Sequence, residues 1–438
     1  MDVTEILIYI LTQIFSQAAV WYAIVVAIGL VLLRKSASEI LVGMLKAIIG
    51  YFILWAGVSA VINVVVPIGS WLSTAFKFQG VLSTFSPIAG EGLTKFGIVV
   101  GPATLLSFVV NLILARITRI RTVHITAHLI LFTCAWMALI ASAWQFDVLQ
   151  LILLVGIFNG FYSWLGTAIA YIPMKTSKRL TKDWTMGVQD FTGTIFVAGV
   201  TKAINKIFGG ESKPADESEF PKSLEWLRDP SLAIAVFSGV IFFIIGLICG
   251  EEVVTASAGG MNWIVYLLLM GAMFQAGILV LLYGVRMLVT QLVEAFKGIS
   301  EKVIPNSVPG LDYPTVFHFS HIGLLLGFFG YFFGQLVTTL LLILAHSPIV
   351  TIPDALPAFF GGALMGVFAD AHGGRRGAFL ATFIVGIASG LLYAATYPLS
   401  GGLFGTGWAW GYTDAYTFGI LFYVIAWLFA RLLGIPPA

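Results

Sequence analysis

Residues 313–353 read YPTVFHFSHIGLLLGFFGYFFGQLVTTLLLILAHSPIVTIP, and no Asp, Glu, Lys or Arg interrupts them. About 20 apolar residues cross a bilayer as a helix. This run is longer than one helix needs, so it holds a span plus part of a second segment. A carboxylate stands at each edge, Asp354 after the run and Asp312 before it, in "NSVPGLD" (306–312). Asp312 lies beside Gly310 and between Pro309 and Pro314, residues that break regular structure. A charge held there is either a solvated loop residue or a working part.

The same pattern fills the chain. Apolar types make up 59% of the 438 residues and charged types 10%, where soluble domains carry about 25% charged residues. The mean hydropathy is +0.98. Uncharged stretches long enough to span also occupy 6–33, 47–76, 96–115, 122–146, 148–174, 230–250, 253–285 and 377–413. Shorter runs at 355–369 and 415–430 suit a re-entrant segment and a final span. An integral membrane protein of roughly ten or eleven spans follows. The acidic start "MDVTEI" lacks the basic region of a signal peptide, so the first span is expected to be kept. Cys134 and Cys249 lie in apolar runs and read as buried thiols. The net charge of +2 names no partner, and no run resembles a nucleic-acid arm.

Basic residues cluster in "RITRIR" (116–121) and "KTSKRLTK" (175–182), with two spans between them. Both clusters therefore face one side, the cytoplasm by the positive-inside rule. Phosphate binding is the alternative use of such clusters. Residues 208–229 form the one long polar segment and read as a solvated loop between two halves, with partner docking as the alternative. "LVGMLKAI" (41–48) matches "LVEAFKGI" (292–299) at four of eight positions. The same offset sets "WAGVSAV" (55–61) opposite "NSVPGLD", and both are expected to be interrupted helices. A basic hinge precedes a span in each half, "RIRTVHITAHL" and "GGRRGAFLATF". Paired interruptions in two halves point to a transporter's binding site, because freed backbone groups must find partners.

Ionisable residues inside a membrane are functional candidates. Asp312 could accept hydrogen bonds from sugar hydroxyls, or take a proton from a hydroxyl attacking phosphorus. His128 reads as either a packed residue or a ligand contact. His124, one turn earlier, is expected at the interface near the arginines. Gln189 and Asp190 lie in a short stretch flanked by glycines, and Ser59 follows Gly57. Asp354 and Asp370 border turns and are expected to be solvated. His318, His321, His346 and the cysteines show no metal-ligand spacing, so neither metal nor cofactor is expected. No phosphate loop, dinucleotide fingerprint or nucleophile elbow is present. Carrier, channel, or subunit of a machine energised elsewhere remain, and a sensory or scaffold protein is the reading from another class.

Five stretches in order sharpen this: "IGLVLLRKSASEILVGMLKAIIGYFILWAG", "ITRIRTVHITAHL", "YGVRMLVTQLVEAFKGISEKVIP", "LD" at 311–312 and "MGVFADAHGGRRGA". Together they resemble the ascorbate-type enzyme IIC membrane component of the bacterial sugar phosphotransferase system. The resemblance implies an all-α membrane fold of about eleven transmembrane helices. It implies two inverted repeats with re-entrant hairpins, and a core domain beside a V-shaped dimerisation domain. On that division 1–207 is the first repeat, 208–229 the inter-repeat loop, 230–411 the second repeat and 412–438 a final transmembrane helix. It also implies a homodimer in the lipid of the cell inner membrane, working by an elevator motion. A sugar substrate would be handed to a separate phosphorylated IIB protein, itself charged by IIA. The chemistry would reside in IIB, so the chain itself is not expected to be an enzyme.

Position by position, the family's substrate-contacting Asp falls on Asp312 and its His on His128. Its Gly-Ser pair falls on Gly57 and Val58, with Ser59 one residue late. Three polar positions differ. A family Gln falls on Phe132 and a family Thr on Phe85. The family's "G-H-Q-Q-Q" reads "G-V-Q-D-F", which keeps Gln189 and brings in Asp190 and Phe191. Losing amides weakens discrimination between hydroxylated ligands, while phenyl rings offer faces to the C–H edges of a sugar. L-ascorbate is the expected substrate, with a related sugar acid, pentose or polyol as neighbours. A same-fold transporter that releases unmodified solute is the alternative.

Overall fold

A computed structural model describes residues 18–76, 80–217 and 230–438. Most of them are helical, and six helices are long and apolar enough to cross a membrane: Ala37–Leu72, Pro87–Ile117, Val148–Thr176, Trp263–Ile299, His321–Leu344 and Ala355–Leu399. The chain is a multi-pass membrane protein.

In chain order the first half gives α1 (Ala18–Leu32), α2 (Ala37–Phe76), β1 (Val81–Thr84), α3 (Ser86–Ile117), β2 (Thr122–His124), α4 (Ala127–Ala141), α5 (Val148–Thr176), β3 (Thr185–Met186) and α6 (Phe191–Ile207). The second gives α7 (Pro230–Cys249), α8 (Glu251–Thr255), α9 (Trp263–Lys302), β4 (Val308–Leu311), α10 (His321–Leu344), β5 (Thr351–Pro353), α11 (Ala355–Thr396), β6 (Trp408–Trp410) and α12 (Phe418–Leu433). Local chemistry sets several starts. Ser36 and Glu39 exchange bonds as a capping box before α2. Asp147 and Gln150 do the same before α5. Asn262 caps α9.

Two 40-residue helices, α2 and α9, pack against each other. Gly43 faces Gln291, Gly50 faces Leu288, and Gly57 faces the Leu281 backbone, so the two run antiparallel. Small residues let membrane helices approach this closely. This corrects one expectation: "WAGVSAV" is an unbroken part of α2, and Gly57 is a crossing point rather than an interruption. The matched octapeptides lie at the start of α2 and near the end of α9, so they do not occupy equivalent places.

The interruptions lie elsewhere, and they build two small sheets that the sequence reading did not anticipate. One parallel sheet runs β5-β1-β6 and the other β2-β4-β3. Each centre strand comes from one half and both its neighbours from the other. The registers correspond: Thr84 sits opposite Trp410 as Leu311 sits opposite Met186. Chain breaks expose backbone groups that apolar surroundings cannot satisfy, and three breaks pairing together satisfy one another. Within this register Phe85 and Asp312 are equivalent, each one residue beyond its centre strand.

A second exchange locks the same breaks. "GVQD" (187–190) follows β3 and "GYTD" (411–414) follows β6. The Asp414 carboxylate accepts the Phe191 and Thr192 N–H groups that open α6, at 3.0 Å each, with the Thr192 hydroxyl at 2.7 Å and the Tyr162 hydroxyl at 2.9 Å. Asp190 returns the favour, accepting the Thr413 N–H at 2.7 Å and the Tyr313 hydroxyl at 2.9 Å. Each aspartate thus satisfies orphan donors on the other's segment.

The hinge "GGRRG" breaks α11 at Gly374, whose φ of 70° no side chain adopts readily. The segment before 218 straps across it. Ser212 donates its N–H and hydroxyl to the Gly373 carbonyl, and Arg375 N–H donates to the Lys213 carbonyl. Asp370, expected to be solvated, is buried and accepts the Ala215 N–H at 2.8 Å. The described part of the expected solvated loop is therefore docked; 218–229 lie outside the described residues. Asp216 ends the strap, accepting the His321 and Ile322 N–H groups at 3.0 and 2.7 Å. Burial works against its charge, but the bonds from His321 and Ile322 outweigh it and hold the carboxyl below its ordinary range. A depressed carboxyl stabilises the fold above its unfolded pKa of about 3.9 and loses that contribution as pH falls through the lower folded value. Asp216→Asn is therefore expected to speed hydrogen exchange at 212–216 and in the first turn of α10 at neutral pH, with the difference from wild type closing in acid. Equal exchange at neutral pH would show that Asp216 holds nothing.

Candidate functional site

A cavity of about 150 Å³ opens where the breaks meet the long helix α2. It is small beside the roughly 300–1,000 Å³ of sites for drug-sized ligands. One face of α2 supplies Leu54, Trp55, Val58 and Ile62, at the spacing of successive turns. The residue after β1 supplies Phe85, and the first turns of α4 supply His128, Leu129 and Phe132. The break after β4 gives Asp312, Tyr313 and Pro314. Leu356 and Phe360 come from the start of α11, and Tyr412 from the break after β6.

Asp312 caps the short 3₁₀ turn Tyr313–Phe319, accepting the Tyr313 N–H at 2.7 Å. Its other oxygen faces His128 Nε2 at 3.2 Å. Both side chains are mostly enclosed. The Trp55 ring stands edge-on to His128 at 6.4 Å. Trp55 Nε1 and His128 Nδ1 are buried without a hydrogen-bond partner. Neither nitrogen is open to the cavity, and buried polar atoms away from it, such as Asn205 Oδ1 and Gln275 Oε1, are unmatched in the same way.

Besides the aliphatic residues, aromatic rings line the wall in a continuous arc. Phe132 meets Phe85 at 5.1 Å, Phe85 meets Tyr412 at 5.7 Å, Tyr412 stacks on Tyr313 at 5.6 Å, and Tyr313 meets Phe360 at 5.8 Å. The Tyr313 hydroxyl is spent outside the cavity, on Asp190 and on the Gln189 N–H. Asp190 therefore holds Tyr313 directly, and holds Tyr412 through the neighbouring Thr413 backbone.

Of the residues singled out from sequence, Asp312, His128, Val58, Phe85 and Phe132 come together around this cavity. Gly57 lies at the helix crossing, and Ser59 is exposed elsewhere on α2. Gln189 is buried behind the wall, its amide given to the Leu129 carbonyl and the Thr133 hydroxyl. Phe191 is buried against His124 and Tyr162. His124 is not at an interface but enclosed in β2, 3.2 Å from the Ser163 hydroxyl. Asp354 caps α11 and accepts the Thr84 hydroxyl at 2.6 Å, so it too is engaged rather than solvated. Sequence reasoning missed Trp55, Tyr313 and Tyr412. The helical spacing of 55, 58 and 62 was a usable signal for the first.

Among the described residues, no three His, Cys, Asp or Glu side chains are grouped to hold a metal ion. What the cavity can do is enclose a small ligand, with hydrogen bonds to the Asp312 carboxylate, against stacking rings.

Residues 13–414 match the family described as the PTS system sugar-specific permease component. The chain is also 24% identical, over 444 residues, to the ascorbate-specific PTS system EIIC component of Mycoplasma pneumoniae. That match covers 86% of this chain and 65% of the relative's length. The resemblance read from the motifs and these comparisons point the same way.

Proposed function

The chain belongs to the family of sugar-specific permease components of the phosphotransferase system, and from that premise we propose that it carries a small sugar across the cell inner membrane for phosphorylation by a separate IIB protein. L-ascorbate is the first substrate in this reading, in keeping with the relative's name as an ascorbate-specific component, and a related sugar or polyol is the next. The observation that carries the proposal is the cavity itself: broken segments from both halves converge there on the Asp312–His128 pair.

The exchanged strands and the paired "GVQD" and "GYTD" breaks support reading the two halves as inverted repeats, with "GYTD" and α12 answering to "GVQD" and α6, so that the second repeat runs past the expected bound at 411. Helices α1, α2, α7 and α9 pack with one another and suit the V-shaped dimerisation part of a homodimer. The breaks and the helices that follow them suit a core. The cavity lies between α2 and that core, where an elevator displacement of one against the other would carry a ligand.

Vesicles holding the purified protein are expected to yield sugar phosphate from sugar and phosphorylated IIB, and to yield none without the protein. Absence of product with every sugar offered removes the coupled reading. Uptake of unmodified sugar without IIB would establish the uncoupled transporter instead, a reading favoured by the rings at Phe85 and Phe132.

A further inference from the structure

Two tyrosines line the cavity, and the protein uses the hydroxyl of only one. Tyr313 donates its hydroxyl to Asp190 and accepts the Gln189 N–H, at 2.9 Å each. Among the described residues nothing hydrogen-bonds the Tyr412 hydroxyl, yet that oxygen is not sealed off as Trp55 Nε1 and His128 Nδ1 are. Tyr412 as a whole is 4% exposed, and the space it meets is the cavity. Its ring is held firmly. It stacks on Tyr313 at 5.6 Å and meets Phe85 and Trp410 edge-on at 5.7 and 6.0 Å. The backbone on either side is tied down, Gly411 N–H to the Thr84 carbonyl at 2.9 Å and Thr413 N–H to Asp190 at 2.7 Å. A polar group fixed in this way beside open space can set the orientation of a ligand. A ligand that fills about 150 Å³ must offer this phenol an oxygen or leave it unmatched.

The fold accounts for its place. "GVQD" and "GYTD" are equivalent breaks, so Tyr412 answers to Val188 as Asp312 answers to Phe85. Each pair has one polar and one hydrocarbon member. Both polar members reach the cavity, while Val188 is fully buried away from it. Their chemistry is complementary. A carboxylate offers about four acceptor positions and no donor. Asp312 spends one on the Tyr313 N–H and directs another at His128, so about two remain for ligand hydroxyls. A phenol can donate. We propose that Tyr412 is a substrate-binding residue, its hydroxyl donating to a ligand oxygen while Asp312 accepts from the ligand's own hydroxyls. The ligand so selected carries hydroxyl donors toward Asp312 and a carbonyl, ring or hydroxyl oxygen toward Tyr412, and L-ascorbate has both kinds of group. This deepens the permease reading and rests on it for the ligand being a sugar.

Tyr412→Phe removes the hydroxyl and keeps the ring. L-ascorbate, D-xylose and galactitol are titrated calorimetrically into the purified full-length protein in detergent, and the tightest binder of the three is carried through the variants. Its affinity is expected to fall about threefold to tenfold in Tyr412→Phe. The melting temperature is expected to stay at the wild-type value, since no bond within the protein is lost. The double variant with Asp312→Asn separates direct contact from support of the pocket. Groups that hold different parts of one ligand act independently, so the two fold-losses should multiply. Where calorimetry is too weak, the rise in melting temperature with added sugar reads the same affinity. Wild-type affinity in a folded Tyr412→Phe overturns the inference. So does a double variant no weaker than Asp312→Asn alone, which would mean that Tyr412 acts by holding Tyr313 and the turn that Asp312 caps. Either result leaves the permease reading standing. No saturable binding of any of the three sugars to the wild type overturns the inference together with the sugar-binding reading of the cavity.

Discussion

Asp312→Asn is expected to weaken sugar binding roughly 30- to 150-fold while the protein stays folded. The asparagine keeps an oxygen for the Tyr313 N–H, and Asn caps turns about as well as Asp. The fold therefore has little reason to change. What disappears is the charge. Hydrogen bonds to a charged group contribute about 1.5–3 kcal/mol and those to a neutral one about 0.5–1.5. Two ligand hydroxyls on a neutral amide therefore lose about 2–3 kcal/mol, which converts to the stated range. The amide also sets an N–H₂ group near His128, where a carboxylate oxygen had been 3.2 Å away. Titration of the purified variant reads the effect, and its melting temperature checks the fold. Wild-type affinity in a folded variant would reduce Asp312 to a turn cap.

Asp414→Ala is expected to be the most damaging single change to stability. Four donors lose their acceptor at once: the N–H groups of Phe191 and Thr192, the Thr192 hydroxyl and the Tyr162 hydroxyl. Each unmatched buried donor costs about 1–3 kcal/mol, and with partial relaxation the sum is about 3–5 kcal/mol. The melting temperature in detergent should fall on the order of 5 °C or more. Asp414→Asn retains one acceptor oxygen and should lose about half as much. A melting temperature unchanged in the alanine variant would mean that water takes over the cap, and would end the argument that the two breaks lock one another.

The membrane class was legible because composition and run length answer to one solvent, lipid. The break at "NSVPGLD" was legible because Pro309 and Gly310 interrupt helices by covalent geometry. "WAGVSAV" misled because Gly57 in a membrane helix serves close packing as readily as a break, and only the partner helix α9 tells which. The octapeptide match misled for a related reason: two long helices with similar packing demands come to share small and aliphatic residues. A shorter repeat, "GVQD" and "GYTD", carried the equivalence, and its meaning rests on hydrogen bonds exchanged between residues more than two hundred positions apart. Gln189 and Phe191 were drawn to the site by the match of "G-V-Q-D-F" to the family's polar motif. Their backbone does approach it, but their side chains turn inward toward Thr133 and Tyr162. The buried state of Asp370 could not be read locally, because its partner, Ala215, arrives from the strap.

The exchanged strands bear on how such a protein comes into being on the ribosome. When synthesis has passed α6, β2 and β3 exist without the strand that joins them, and β1 exists without either neighbour. Residues 308–311 must emerge before the first sheet can close, and 408–410 before the second. Asp414, which finishes the opening turn of α6, is made later still. For most of its birth the first half is an inserted but unfinished object, and short segments made late are the ones that complete the earliest elements.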